Sequence, residues 1–314
     1  MPKNSTPAVS VIMNSYNSEE YLREAIDSVY NQTYKDWEII FWDDASTDSS
    51  STIAKSYDEK VRYFLGEKAA SLGEARNLAI KQARGKYIAF LDCDDVWLPE
   101  KLEKQVARFE EDERVGLVFS DALFFNAKGD EWPVYGRKRP LEGNIFRHTL
   151  VHYNFALVAV MVRAVALESM RGEVFDRRFG FIEEMDLFLR VLHDWRGAFV
   201  PEVLAKYRMH EKSWTFSRGL FFPQEKEILI QKLSALYSNF EKEYSHELAV
   251  LKRQIAYEKF LSLWRNHEAK TGRRIIASFV WRNRKITILN YLSFLPFSLY
   301  LKLRQIIGKK YYTI

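Results

Sequence analysis

Short apolar runs alternate with segments in which apolar residues recur every third or fourth position. Ala8–Met13 (AVSVIM) reads as a buried strand, and Asn17 followed by Glu20 as a helix start. Leu22, Ala25, Ile26 and Val29 then keep to one helical face. Trp37–Trp42 (WEIIFW) is the second expected strand, Ser49–Ser56 a short helix and Val61–Leu65 the third strand. Ser71–Arg84 is expected to be helical up to Gly85, and Tyr87–Leu91 (YIAFL) to form the fourth strand. Strands alternating with helices at this spacing imply βαβ units and a parallel sheet, because parallel strands need crossovers. Open sheets of that kind bind ligands beyond the carboxyl ends of their strands. Those ends carry Asn14-Ser15-Tyr16, Asp43-Asp44 and Asp92-Cys93-Asp94-Asp95, so polar residues fall where a nucleotide crevice would lie.

Further along the chain the alternation weakens. A helix is expected at Pro99–Asp112, extended chain at Val115–Asn126 turning at Lys128-Gly129, and loop over residues 128–150. A strand near Ala156–Val162, a helix near Glu183–Trp195 and short strands up to Arg208 follow. Neither Gly nor Pro occurs between Pro223 and Gly272, and Leu233, Leu236, Phe240 and Tyr244 lie at helical spacing. That stretch predicts two or three helices packed onto the body.

At 47% hydrophobic and 28% charged, the 314 residues can bury the core of one large domain or two small ones. The single cysteine, Cys93, allows no internal disulfide and points to a reducing compartment. The opening MPKNSTPAVS lacks the apolar core of a signal peptide. No run reaches the roughly 18–20 apolar residues of a membrane-spanning helix. A cytoplasmic location is therefore expected. The net charge of +5 hides an asymmetry: Ala269 to Ile314 holds ten Lys/Arg and no Asp or Glu, which leaves the first 268 residues at −5.

FLDCDD, residues 90–95, places three aspartates directly after an apolar run. Two carboxylates about 4 Å apart repel by about 4 kcal/mol at an effective dielectric of about 20. Either one takes up a proton or a cation offsets the cost. Asp-x-Asp at a strand end suits a hard divalent ion with positions left for substrate phosphates. It equally suits a solvated turn or a helix cap, and the residues alone leave both open.

Four segments in order resemble family 2 glycosyltransferases. VSVIMNSYNSEEYLREAIDSVYNQTYKDWEIIFWDDASTDSS looks like the family's opening block, and SLGEARNLAIKQARGKYIAFLDCDD like its second, ending in Asp-x-Asp. FIEEMDLFLR is similar to its catalytic helix and YRMHEKSWT to its downstream histidine motif. The resemblance covers roughly Ala8–Trp214. It implies an α/β GT-A fold, a Rossmann-like three-layer αβα domain over residues 1–218, with a helical C-terminal extension over 219–314.

The resemblance also implies roles. Asp43 and Asp44 fall where the family binds the base and ribose of a nucleoside diphosphate-sugar, and carboxylates can accept from such groups. Ser15 and Tyr16 would pack on the base. Arg76 matches a position near the donor pocket, where a guanidinium serves phosphate or carboxylate, or else pairs with one of the aspartates. Asp92 would reach the sugar or ribose, while Asp94 and His210 would hold Mn²⁺ or Mg²⁺. Asp95 is read as a supporting residue or cap, and Cys93, surrounded by negative charge, as no nucleophile. His148, His152, His193, His246 and His267 match nothing.

The implied reaction inverts the anomeric carbon, with a base to take the acceptor's proton. The base expected is Glu184, with Glu183 and Asp186 as alternatives and Glu183 also placed at the substrate. The family usually has Asp where Glu184 stands, one methylene shorter. Asn14-Ser15 replaces a frequent Pro-Thr. The Gln-x-x-Arg-Trp motif and membrane helices of processive synthases do not occur, which favours one sugar per encounter. The expected function is metal-dependent transfer from a UDP-sugar or related donor to a saccharide or lipid-linked saccharide in cell-surface polysaccharide synthesis. The alternatives are a non-catalytic sugar-nucleotide binder and a nucleotidyltransferase, although residues 8–20 lack the latter's basic, glycine-rich phosphate loop.

ITILNYLSFLPFSLYL, residues 286–301, is uncharged and aromatic, with basic residues on both sides and Pro296 inside it. It suits interfacial insertion, so residues 273–314 are expected to meet the inner face of the cell membrane, the alternative being a docked helix with solvated basic groups. The acidic body argues against nucleic acid as a partner.

Overall fold

The fold is taken from a computed structural model, which describes residues 6–67, 70–210, 222–281 and 283–306, the side chains of 304–306 excepted. The chain divides into two compact units, Met1–His210 and Glu211–Ile314. The expected domain boundary at 218/219 lies outside the described residues, as do Glu211–Thr215 of the histidine motif.

In the first unit β1 (Val9–Ser15), β2 (Trp37–Asp43), β3 (Val61–Leu65) and β4 (Tyr87–Phe90) pair in parallel, in the order β3-β2-β1-β4. Every residue of β2 and β4 is buried, the pattern of strands covered on both faces. One face of the sheet packs Val9, Val11, Met13, Ile39, Phe41 and Ala89 with Leu22, Ile26 and Val29 of α1 (Glu19–Tyr30). Helix α4 (Lys101–Glu111) adds Leu102, Val106 and Phe109 to the same core. The short α2 (Ser50–Lys55) lies beside α1, and α3 (Leu72–Ile80) packs against β1 and β2. At the turn into β4, Gly85 lies so close to β1 that a Cβ would meet Ser10 N at 2.5 Å. Its own N–H donates to Ser10 Oγ at 2.8 Å.

Beyond β4 the expectation of an all-parallel sheet fails. β8 (Val160–Arg163) joins β4 antiparallel, β6 (Val115–Asn126) joins β8 antiparallel, and β9 (Arg196–Met209) runs parallel to β6. The small β5 (Val96–Trp97) and β7 (Glu131–Pro133) pair antiparallel with β9 and β6. The sheet is mixed because these partners come from distant segments rather than through successive crossovers. The expected short strands up to Arg208 are one strand, β9, whose register shifts opposite Ser120–Ala122. The expected loop over 128–150 holds β7 and α5 (Phe146–Val151), the latter burying Phe146 and Leu150. Helix α6 (Ala164–Glu168) and the expected α7 (Glu183–Asp194) complete the unit.

Two helix starts differ in detail. Helix α1 begins after Ser18, and Asn17 instead sits in the left-handed region at φ 51°. Helix α3, expected over Ser71–Arg84, is capped by Ser71, whose hydroxyl accepts the Glu74 N–H, and ends at Ile80.

The second unit is helical: α8 (Phe222–Leu236), α9 (Phe240–Glu243), α10 (Ser245–Arg265), α11 (Ala269–Ile276), α12 (Arg284–Leu292) and α13 (Phe297–Ile306). Its own core joins Phe260 and Trp264 of α10 to Ile276, Ile286, Leu289 and Tyr300.

Candidate active site

The chain leaves β1 for β2 and β3 on one side and returns to β4 on the other. The crevice beyond β1 and β4 is therefore the switch point where open sheets take ligands. Ser15 of β1 lies in register with Asp43 of β2, and Asp44 N–H donates to Ser15 O at 2.8 Å. Asp43 is buried; it accepts from Ser46 N–H at 2.8 Å and from the Tyr63 hydroxyl at 2.7 Å. Asp44 accepts from Ala70 N–H through both oxygens, at 2.9 and 3.1 Å. Burial, with repulsion from Asp43, raises its pKa against the pull of that N–H. Ala45, between them and Ser46, has φ 62°, a conformation that costs an alanine of order 1–3 kcal/mol.

The loop after β1 locks onto this turn. Asn17 N–H donates to Ser46 Oγ at 3.0 Å, and Asn17 Oδ1 accepts from Thr47 N–H at 2.8 Å. The clasp leaves the Tyr16 ring 59% exposed at the rim of the crevice. Asn14 Nδ2, at the end of β1, is buried without a hydrogen-bond partner among the described residues.

The carboxyl end of β4 carries the acidic cluster. Its carboxylates are divided among separate partners. Asp92 accepts from Arg76 Nη2 at 2.9 Å. Asp94 Oδ2 lies 2.9 Å from His210 Nε2. Asp95 accepts the Arg208 N–H at 2.8 Å, and its Oδ2 is buried without a partner among the described residues. Burial raises Asp94 and raises Asp95 further; the neighbouring aspartates add to both, while His210 pulls Asp94 back. Cys93 points inward, its thiol donating to Asn14 O at 3.1 Å, and burial with Asp94 and Asp92 pushes its pKa well up. A thiol so placed is not a nucleophile.

The third part is the first turn of α7. Arg76 Nη1 donates to Glu183 Oε1 at 3.0 Å, so one buried guanidinium ties Glu183 to Asp92. Burial works against that charge, but Asp92, Glu183 and Glu184 outweigh it and raise the Arg76 pKa. Asp186 is fully buried against Arg190, at 2.6 and 3.1 Å, and Arg190 also donates to Val174 O at 2.6 Å. Asp186 therefore anchors the segment before the helix. Glu184 is half-buried, and burial and the Glu183 charge push its pKa up to about 8 against the pull of Arg76.

The three groups of expected residues thus meet along one edge: Ser15, Tyr16, Asp43 and Asp44; Asp92, Asp94 and His210; and Arg76, Glu183 and Glu184. Several supporting residues were not singled out by sequence. Arg208 is sandwiched between Tyr21 and Phe125 at 4.3 and 4.5 Å and donates through Nε to Asp94 O at 2.8 Å, fixing the acidic loop. Its place two residues before His210 was the available signal. Asn77 exchanges two hydrogen bonds with the Phe175 backbone at 2.7 and 2.8 Å, holding the approach to α7. Tyr153 has a buried hydroxyl without a partner among the described residues, and its ring packs through Phe155 on Phe188 of α7. Nothing in the local sequence marks it.

Among the described residues no group of three or more His, Cys, Asp or Glu converges as a metal cage. Asp94 and His210 do converge, and a carboxylate with an imidazole is a donor set that Mg²⁺ or Mn²⁺ accepts when water and substrate phosphates complete the shell. The residues present fit such an ion.

Comparisons with known proteins agree with this fold. The family profile Glycosyl transferase family 2 matches residues 10–168. EpsE of Bacillus subtilis strain 168, named as a glycosyltransferase, is 36% identical over 227 residues, 69% of this chain and 78% of its own. S. aureus TarS shares the fold with a TM-score of 0.58 at 19% identity, over 82% of this chain and 43% of that one. Its residues 1–349 in complex with UDP-GlcNAc give 0.52 at 20% identity, over 86% and 71%. The mannosyltransferase PcManGT of Pyrobaculum calidifontis, solved with GDP-Man and Mn²⁺, gives 0.57 at 15% identity over 98% of this chain and 89% of its own. The fold is GT-A: a mixed α/β sheet with a helical C-terminal region.

Proposed function

Because the chain belongs to glycosyl transferase family 2, we propose that it moves a sugar from a nucleoside diphosphate-sugar, a UDP-sugar first, to a hydroxyl of a saccharide or lipid-linked saccharide. Inversion at the anomeric carbon, one sugar per encounter and a place in cell-surface polysaccharide synthesis belong to the same proposal. The observation that carries it is the Arg76 bridge between Asp92 and Glu183. It sets the strand-end acids beside the turn that holds Glu184, which supports reading the acids as the donor side and Glu184 as the base. The nucleotide sugars in the TarS and PcManGT complexes support the donor class.

In this mechanism Asp43, Asp44, Ser15 and Tyr16 receive the base and ribose at the end of β1 and β2. Asp92, held by Arg76, faces the sugar. Glu184 takes the acceptor's proton as the acceptor oxygen bonds to the anomeric carbon and the bond from that carbon to the diphosphate breaks. The freed nucleoside diphosphate carries the leaving electron pair. Asp94 and His210 would hold a divalent ion, which when bound offsets charge on the departing diphosphate. Glu183 is committed to Arg76 and serves by position.

The same proposal assigns residues 1–218 to transfer and 219–314 to a helical extension that brings the enzyme, from the cytoplasmic side, to a membrane-borne acceptor. Among the described residues no helix is long and apolar enough to cross a membrane. The test is release of nucleoside diphosphate from a panel of UDP- and GDP-sugars, with Mn²⁺ and with chelator. Release with one donor, lost in Glu184→Gln, is expected. Pyrophosphate release would instead mark a nucleotidyltransferase, and donor binding without release a binding protein.

A further inference from the structure

The second unit carries an exposed apolar face. Helices α12 and α13 turn Ile286, Leu289 and Tyr300 inward onto Phe260, Trp264 and Ile276. Their other side is apolar as well, yet exposed. Ile288 is 50% exposed, Tyr291 55%, Phe294 70% and Trp281 78%, and Leu295 and Leu299 continue the stripe. Within α12, Ile288 and Tyr291 are three residues apart and share one helical face. Trp281 and Tyr291 meet edge-on, 6.1 Å between centroids.

Cations border the stripe. Arg284 precedes Ile288 by four residues and Lys302 follows Leu299 by three, and both are exposed, whereas Lys285 turns its ammonium to the Tyr257 ring, 4.6 Å from the centroid. The Arg273 guanidinium lies 4.1 Å from the centroid of Phe294 and donates to Ser293 O at 3.0 Å, which pins a charge beside the most exposed ring of α12–α13. From residue 269 to 314 the chain has ten Lys/Arg and no acid. Two copies of such a face would repel each other; an anionic surface would attract one.

We propose that the outer face of α12–α13 docks on an anionic lipid bilayer, with the apolar stripe in the acyl boundary and the cations among the headgroups. The pair lies in the interface and does not cross it. Each helix is only about 15 Å long, against a hydrocarbon core of about 30 Å, and Pro296 separates them. This deepens the membrane reading proposed above by naming the surface that makes the contact. It does not depend on the transfer chemistry.

The experiment is co-sedimentation of the full chain with vesicles of phosphatidylcholine alone and with phosphatidylglycerol added. Binding to the anionic vesicles only, weakened by added salt, is expected. Each cation near such a surface strengthens binding about fivefold, so Arg284→Gln with Lys302→Gln should bind about 25-fold more weakly. Ile288→Ser with Phe294→Ser should lose binding while keeping the wild-type helical spectrum and, in lipid-free solution, the wild-type rate of nucleoside diphosphate release. Equal binding to both vesicle types, or wild-type binding by either variant, overturns the proposal. So does a concentration-dependent dimer that the serine variant dissolves, since the face would then belong to a second copy. A chain that binds vesicles but releases no diphosphate would sink the transfer reading and leave this one standing.

Discussion

Arg76 and Glu183 stand 107 residues apart and meet at 3.0 Å with both side chains buried. The same guanidinium reaches Asp92 at 2.9 Å. A planar fork is needed to span two carboxylates in this way, and an ammonium on a flexible stem does not replace it. Removing it takes the buried guanidinium away from both Glu183 and Asp92. Arg76→Met should therefore cost about 3–5 kcal/mol of stability in urea unfolding, and Arg76→Lys should recover only part. Adding Glu183→Gln to Arg76→Met should return much of the loss. If Arg76→Met unfolds at the wild-type midpoint, the bridge does not organise the site.

Glu184 titrates at about 8 because burial and Glu183 oppose its ionised form. A base must be ionised to act, so kcat/KM should rise about tenfold per pH unit up to about pH 8 and level off above it. Stability should run the other way. The folded pKa lies above the ordinary carboxylate value, so the stabilising contribution is complete below about pH 4.5 and is lost as pH rises through about 8. Glu184→Gln should reduce transfer by about 10²–10⁴. It should also raise the melting temperature, more at pH 8.5 than at pH 5 (about those values). A flat rate profile between about pH 6 and 9 would exclude Glu184 as the base.

Asp94 and His210 are paired at 2.9 Å, and Arg208 holds the Asp94 carbonyl from behind. Asp94→Asn and His210→Gln should each weaken Mn²⁺ binding, followed by the loss of the free-ion electron paramagnetic resonance signal, by about tenfold or more. Arg208→Lys loses the stacked fork between Tyr21 and Phe125 and should weaken it less. Undiminished Mn²⁺ uptake by the Asp94→Asn and His210→Gln variants would place the ion elsewhere.

Lys101 is wholly buried, with Nζ 2.7 Å from Gln105 Oε1 and 4.2 Å from the Trp97 ring centroid, and burial pushes its pKa well down. A depressed lysine costs the fold most at low pH. The stability associated with its neutral form is complete above the ordinary lysine pKa and is lost as pH falls through the folded one. Lys101→Met should therefore stabilise the protein by about 1 kcal/mol at neutral pH, with Gln105 left short of one donor. The advantage should shrink as pH approaches about 10. A variant less stable than wild type throughout would mean that the ring contact carries a charged ammonium.

The sequence by itself determined the elements of β1 through β4, and α4 and α7, because each sits in a local period: buried runs for strands, one apolar face for helices. It also determined which polar residues stand at the strand ends, since a strand that stops at Ser15, Asp43 or Phe90 delivers whatever follows to the crevice. Local pattern could not supply the partners. Asp186 pairs with Arg190 one turn along its own helix, whereas Glu183 needs Arg76 from another helix, and the Asp94 loop needs Arg208 from the far end of β9. β8, β6 and β9 likewise joined the sheet in a mixed order through contacts between segments scores of residues apart. Only the tertiary structure decided these, because burying a charge or a strand edge is favourable only once a distant group has arrived to satisfy it.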